Sequence, residues 1–406
     1  MRDEMKKVPR LRFRGFQEDW ELCKLSTEFE KVNERNDGSL GKEHWISVAK
    51  MYFQNPDKVQ SNNIDTRTYV MRTGDIAFEG HPNKEFKFGR FVANDIGTGV
   101  VSELFPIYRH KQEYDNYYWK NAIQIERVMG PIFAKSITSS GNSSNKLDPN
   151  HFLRQQVFIP KLEEQKKIGL FLKKLDDTIT LHQRKLDQLK ELKKAYLKAM
   201  LISMNTKNNK VPKLRFADFE GEWDQRKFKA FSKKTGKKNS QNLNYPAYSV
   251  SNKSGLISQS EQFNGNRLDT LEKHSYKIVE PYEFAYNPAR INVGSIAFNT
   301  LGKPVIVSSL YVVLQMEDNL NNDFILQFIK SPAFVREVKR NTEGSVREYL
   351  FYENFANIKF PYTKNIKEQQ KIGAFFKKSD DTIALRQNKL NQLKALKKAY
   401  LQNMFI

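Results

Sequence analysis

Cysteine is nearly absent from this 406-residue chain, occurring once, as Cys23. Disulfide scaffolding and zinc sites built from Cys pairs are thereby excluded, and Cys23 reads as a packed side chain rather than a nucleophile. The six histidines are scattered, with no His-x₃-His pairing. No G-x-x-x-x-G-K-[ST] loop occurs, which removes ATPases of that class. "NDIGTGV" (94–100) holds a lone G-x-G that no helix signal follows. No Asn/Asp-Pro-Pro-aromatic tetrapeptide marks an amino-methylating enzyme, "YNPARI" being a partial echo. No apolar run approaches the ~20 residues that span a bilayer. The first residues, "MRDEMKKVPRLRFRGF", offer no apolar stretch for a signal peptide, so a cytoplasmic, reducing location is expected. Acidic residues are also short: 46 Asp and Glu face 68 Lys and Arg, a net charge of +22. An excess of this size answers a polyanion, most commonly nucleic acid. A membrane surface is disfavoured, because no segment pairs a basic face with an exposed Trp/Phe/Leu face.

What is present is a duplication. "VPRLRFRGFQEDW" (8–20) returns as "VPKLRFADFEGEW" (211–223). "EQKKIGLFLKKLDDTITLHQRKLDQLKELKKAYL" (164–197) returns as "EQQKIGAFFKKSDDTIALRQNKLNQLKALKKAYL" (368–401), with 26 identities in 38 positions over 164–201 and 368–405. Between these shared pieces the halves are barely alike. The expected organisation is a first body (1–157), a middle helix (158–204), a polar linker (205–210), a second body (211–361) and a C-terminal helix (362–406). A period of about 200 residues is too long for a solenoid and marks a duplicated domain.

The repeated line carries a coiled-coil seam. With Leu172 at heptad position a, the seam runs through Leu175, Ile179, Leu186, Leu189 and Tyr196. The second copy runs through Phe376, Ile383, Leu390, Leu393 and Tyr400. Polar residues interrupt both at matching places, among them Lys193 and Lys397, while Leu192, Leu197, Leu396 and Leu401 widen the stripe. A helix of 38 residues is roughly 57 Å long at 1.5 Å per residue. Its nearest partner is its own tethered copy, packed antiparallel, which turns a sequence repeat into a pseudo-two-fold axis. The alternative is an intermolecular coiled coil that makes a homodimer.

Both bodies alternate short strand-like runs with turns, then turn helical, then pass a Gly/Ser loop and end in a strand before proline, "QVFIP" and "IKFP". That order predicts an α+β fold shared by both bodies, with divergent loops where recognition resides. Base reading uses Arg or Lys for guanine and Asn or Gln for adenine. The candidates in the first body are Lys50 and Tyr52, then Lys84, Lys87 and Arg90, then Asn142, Asn145 and Lys146. In the second they are Tyr248, Asn252 and Lys253, then Arg290 and Asn292, then Ser345 and Arg347. The run "SKKTGKKNS" (232–240) is phosphate-facing or simply solvated.

Asp75 with Glu85-x-Lys87 loosely echoes a metal-dependent nuclease, but a site of that kind needs two carboxylates converging on a cation. The paired aspartates at 176–177 and 380–381 diverge by about 100° on a helix, so they read as structural, pairing with a partner or with lysines such as Lys173 and Lys377. The chain reads as non-catalytic and metal-free.

The duplicated helix, the "VP-x-LRF…W" motif and the dissimilar bodies resemble the DNA specificity (S) subunit of a type I restriction–modification system, end to end. The resemblance implies one target-recognition domain per half of a bipartite, asymmetric DNA site. It implies helices that act as spacers and dock two methyltransferase (M) subunits, with two restriction (R) subunits completing the complex. S-adenosylmethionine would belong to the M subunits, and ATP with Mg²⁺ to the R subunits. Competing readings are a homodimeric nucleic-acid scaffold outside such systems and a self-contained nuclease resting on Glu85 and Lys87.

Overall fold

The computed structural model describes residues 7–59, 67–140, 144–201, 210–252, 255–262, 273–342 and 349–406. Asn142, Lys253, Ser345, Arg347 and most of the expected linker (205–209) lie outside the described residues. The chain divides into two compact units, Met1–Gln183 with Asn388–Ile406, and Arg184–Gln387.

In the first unit, four short strands form an antiparallel sheet in the order Phe29–Val32, Ile107–His110, Ile76–Glu79, Arg90–Ala93. The central strand Ile76–Glu79 is buried at every position, so both faces of the sheet are covered. On one face Phe78, Phe91, Tyr108, Phe133 and Phe152 form an aromatic core with the helices Asn116–Ala122, Glu126–Ser136 and Pro149–Leu153. On the other, Ile46, Met71, Ala77, Val92, Val101 and Ile107 pack beneath the ribbon of Thr68–Met71 and Gly99–Ser102. The first strand, Glu21–Lys24, pairs with the last, Gln156–Ile159, and closes the body immediately before the long helix Leu162–Met200.

The second unit repeats this plan although the two body sequences barely align. Its sheet runs Ser232–Lys234, Val312–Met316, Phe284–Tyr286, Ile296–Phe298. Lys277–Val279 pairs with Val305–Val307, and Asp224–Lys227 pairs with Lys359–Tyr362 ahead of the helix Ile366–Asn403. The α+β class expected from the alternation of strands and helices is what each unit shows.

The shared motifs sit at the joint between body and helix. Buried Glu164 accepts from Arg12 Nε and Nη2 at 2.7 and 2.8 Å and from Trp20 Nε1 at 3.2 Å. Buried Glu368 accepts from Arg215 Nε and Nη2 at the same two distances. Gln165 Nε2 donates to Pro160 O (3.1 Å), and Gln369 Nε2 donates to Thr363 O (2.8 Å). Two residues cap short body helices: Asp115 Oδ1 accepts from Tyr118 N, and Asn321 Oδ1 accepts from Phe324 N. The long helices cross these caps at glycine. A Cβ on Gly169 would lie 1.9 Å from Asp115 Oδ1, and one on Gly373 would lie 2.6 Å from Asn321 Oδ1. The "EQ-x-KIG" line is therefore a docking motif that fastens each helix to the body before it.

Each unit also contains the end of the other long helix. Within the first unit, Phe171 meets Tyr400 edge-on at 4.8 Å, and Lys397 Nζ donates to both oxygens of Asp176 at 2.7 and 2.8 Å. Within the second, Tyr196 meets Phe375 at 5.3 Å, and Lys193 pairs with Asp380. Numbers rise along one helix as they fall along the other, so the pairing is antiparallel and intramolecular in both units. Leu11 N donates to Asn403 O and Leu214 N to Ala199 O, tying each "LRF" segment to that helix end.

Three expectations about the helices change. The polar interruptions Lys193 and Lys397 are partners of the aspartates, whereas Lys173 lies over the Tyr117 ring and Lys377 faces Asp323. Leu172 and Phe376 are fully buried, but in the body cores rather than in a helix seam alone. Leu186 and Leu390 are buried, and Leu175, Ile179, Leu189, Ile383 and Leu393 are half-buried, as a narrow seam requires. Leu192 and Leu396 stay exposed instead of widening the stripe.

Candidate nucleic-acid interface

In both units the loops that carry the candidate residues are tied to one another by specific contacts. In the first, the hairpin of Ile46–Ser47 and Tyr52–Phe53 turns through Met51 at φ 47° and presents Lys50 and Tyr52 to solvent. Arg90, at the start of the fourth sheet strand, donates from Nη2 to Ala49 O and stacks over Phe86 at 5.1 Å. This draws the 80–90 loop against the hairpin. The loop itself is an Asx turn in which Asn83 Oδ1 accepts from Glu85 N and Phe86 N, leaving Lys84 and Lys87 exposed. Its base is held by buried Glu79, which accepts from His81 N and pairs with the His81 ring. Asn145 N donates to Gly80 O at 2.9 Å, and a Cβ on Gly80 would stand 2.2 Å from Asn145 O. The strand Asn145–Leu147, which carries Lys146, is thus joined to the same loop. Burial pushes the Glu126 carboxyl above its usual range, against the pull of the Lys87 backbone amide and charge.

In the second unit the hairpin Tyr248–Ser251/Gly255–Ser258 carries Tyr248 and Asn252. Ser295 Oγ donates to Val250 O (2.8 Å), fastening the hairpin to the turn that contains Arg290 and Asn292. Gly294 closes that turn at φ 87°, a left-handed value that favours glycine, and its Cβ would sit 4.0 Å from Asn252 Cβ. Leu350 N donates to Pro288 O, bringing Tyr349 and Phe351 beside the same turn. Their rings stack at 5.8 Å, and Phe351 is exposed.

The structure therefore groups Lys50, Tyr52, Lys84, Lys87, Arg90, Asn145 and Lys146 into one loop cluster, and Tyr248, Asn252, Arg290 and Asn292 into its counterpart. Beside these candidates the structure places Met51, Phe53, Tyr349 and Phe351, which sequence reasoning did not single out. The signals available were the aromatic neighbours in "KMYF" and the run "REYLFY" after the Gly/Ser loop. Of the lysine run, Lys234 pairs with Glu353 at 3.3 Å, and the Lys238 backbone pairs antiparallel with that of Lys277. Burial, then the neighbouring Lys234 and Lys238, holds the Lys277 amine below its usual range while it donates to Tyr311 O.

Asp75 is not poised for a metal. It is buried, and Arg109 donates to both of its oxygens at 2.9 and 2.8 Å. Arg109 and Arg72 also share Glu34, whose carboxyl Arg72 first and Arg109 second hold below the usual range. Glu85 is exposed on the 80–90 loop, where its backbone N donates to Asn83 Oδ1.

A family model described as the type I restriction modification DNA specificity domain matches residues 94–191 and 222–395, more than half of the chain. The type I restriction enzyme MjaVIII specificity subunit of Methanocaldococcus jannaschii is 21% identical over 407 residues, covering 94% of this chain and 91% of that one. Among solved structures, the type I restriction–modification S subunit from M. genitalium superposes with a TM-score of 0.61 at 13% identity, covering 98% of this chain and 99% of that one. A chain from a structural study of type I system assembly and conformational transition gives 0.50 at 14% identity, covering 95% and 97%.

Proposed function

Because this chain belongs to the type I restriction–modification DNA specificity family, recognising DNA is its role, and we propose that it reads a bipartite, asymmetric target with one half-site per body. Members of this family are specificity subunits rather than catalysts, so the chain is not an enzyme. Residues 1–157 and 211–361 are the two target-recognition domains, 158–204 and 362–406 the spacer helices, and 205–210 their linker.

The observation that carries this reading is the pair of loop clusters. One fold presents loops from the same topological positions twice, with unlike side chains. A shared scaffold with different readers suits two different half-sites, and the net charge of +22 suits the phosphates between and around them. Asn142, Lys253, Ser345 and Arg347 complete the proposed reading set. The repeated helices suit a partner present in two copies. Leu181 and Leu385, then Leu192 and Leu396, are exposed leucines at equivalent positions of the two. Two methyltransferase subunits dock there, and two restriction subunits join through them. S-adenosylmethionine is then supplied by the former, and ATP with Mg²⁺ by the latter. The complex works in the cytoplasm. No described helix is long and apolar enough to cross a membrane.

The deciding experiment is single-molecule methylome sequencing of cells with and without the gene. A split methylated motif should vanish on deletion, and exchanging the first body should alter one half of it. A contiguous motif, or a change in both halves, would refute the assignment.

A further inference from the structure

One exposed feature recurs in both bodies outside the reading loops. "SELF" (102–105) and "SSLY" (308–311) each connect the outer ribbon to a central sheet strand. The two turns are built alike. Phe105 N donates to Ser102 O and Tyr311 N to Ser308 O, both at 3.0 Å. Leu104 N and Leu310 N approach the Ser102 and Ser308 hydroxyl oxygens at 3.4 Å each. Phe105 and Tyr311 fold back onto the inner clusters of their own units. Leu104 and Leu310 point away, 83% and 78% exposed, the most exposed large apolar side chains among the described residues.

A single exposed leucine needs no explanation. The same leucine on the same turn of two bodies whose other loops diverge does need one. A residue common to both bodies cannot distinguish half-sites that differ. A leucine offers nothing to phosphate, and the carboxylate of Glu103 beside Leu104, 3.4 Å from Arg35, is a poor neighbour for a DNA backbone. What remains is an apolar cavity on a protein that meets both bodies in the same way.

We propose that Leu104 and Leu310 are equivalent anchors, each inserted into an apolar pocket on one of two methyltransferase subunits, in addition to the contacts those subunits make with the helices. This rests on the reading that the chain assembles with two methyltransferase subunits.

The test uses the full-length chain and the methyltransferase subunit of the same system. Leu104→Ser, Leu310→Ser and the double variant are titrated against that subunit, and each is also titrated against duplex DNA carrying the methylated motif. Both leucines lie in solvent, so thermal midpoints should match the wild type. Each single variant should weaken one of the two binding events about tenfold or more, the loss expected for one buried leucine. The double variant should weaken both, with DNA affinity unchanged. Wild-type affinity for the subunit in the double variant overturns the anchor proposal. If that variant loses DNA affinity instead, the turns contact DNA and the proposal falls in favour of that role. If the wild-type chain itself binds no methyltransferase subunit, the assembly reading fails first.

Discussion

Replacing Glu164 with alanine tests whether the "EQ-x-KIG" line fastens body to helix. The Glu164 side chain is 2% exposed and that of Arg12 is 15% exposed. Removing the carboxylate strands a guanidinium that donated twice and leaves Trp20 Nε1 unpaired. Breaking a buried pair from one side costs about 3–5 kcal/mol. Because Arg12 keeps some contact with water, its side chain being 15% exposed, the expected loss lies near the lower bound, about 3 kcal/mol. For a unit of this size that corresponds to a midpoint shift of about 6–12 °C. Differential scanning calorimetry of the full-length chain reads the shift, and hydrogen exchange places it in the first unit. The paired change Arg12→Met with Glu164→Leu should recover most of the loss, because no uncompensated charge is left behind. Glu368→Ala should cost less, since Arg215 keeps Gly221 O and Glu220 O at 2.6 and 3.0 Å. A Glu164→Ala variant within about 1 kcal/mol of wild type would show that the pair is ornamental to the joint.

Gly169→Ala should destabilise the first unit by about 2 kcal/mol or more, because overpacking outweighs the gain of about 1 kcal/mol in helix propensity. Gly373→Ala, with its Cβ 2.6 Å rather than 1.9 Å from the cap oxygen, should cost less in the same melting assay. Burial pushes the His110 imidazole down to about 3, so the fold holds it neutral. Its unfolded value is about 6.5, so this contribution is complete above that pH and is lost as pH falls toward 3, about 2 kcal/mol of it by pH 5. Urea midpoints at pH 7 and 5 should converge in His110→Phe relative to wild type. Asp176→Lys should weaken the helix pairing, and adding Lys397→Asp should restore it, with a coupling on the order of 1 kcal/mol by double-mutant cycle.

Much of this was legible in the sequence, for reasons particular residues make plain. The strand runs and the long helices appeared because apolar period and proline signals are local. The pairing of the helices followed from their duplication. Where local signals stop, the reading stopped. Nothing in "DDTI" says that Asp176 answers Lys397, 221 positions away, rather than Lys173 one turn back. Leu172 and Phe376 satisfied a heptad pattern, yet a body packs against the same stripe, and heptads do not distinguish the two neighbours. Asp75 looked available because its partner Arg109 lies on another strand, 34 residues on. Of the candidate readers expected in loops, Lys50, Lys84, Lys87, Asn252, Arg290 and Asn292 lie in turns and loops, whereas Tyr52, Arg90, Asn145, Lys146 and Tyr248 lie on short strands. Whether Arg90 reads a base or mainly clamps Ala49 and Phe86 depends on geometry that composition does not encode.

The division between constant and variable sequence follows from where the forces act. Every identical residue of the "EQ-x-KIG" line that the structure describes in contact meets either the body ahead of its helix or the end of the other helix. Glu164, Gln165, Ile168 and Gly169 each touch a backbone group, a cap or a core side chain, so substitution there meets burial or collision. Their counterparts Glu368, Gln369, Ile372 and Gly373 are held in the same way. Lys50, Lys84, Lys87 and Arg290, by contrast, sit in solvent on loops whose bases are fixed by Glu79, Gly80 and Ser295. A surface substitution away from such fixed points costs little stability, typically within about 0.5 kcal/mol. Selection on target sequence can therefore rewrite the exposed positions without disturbing the joint, whereas drift in either joint meets burial or collision within its own unit.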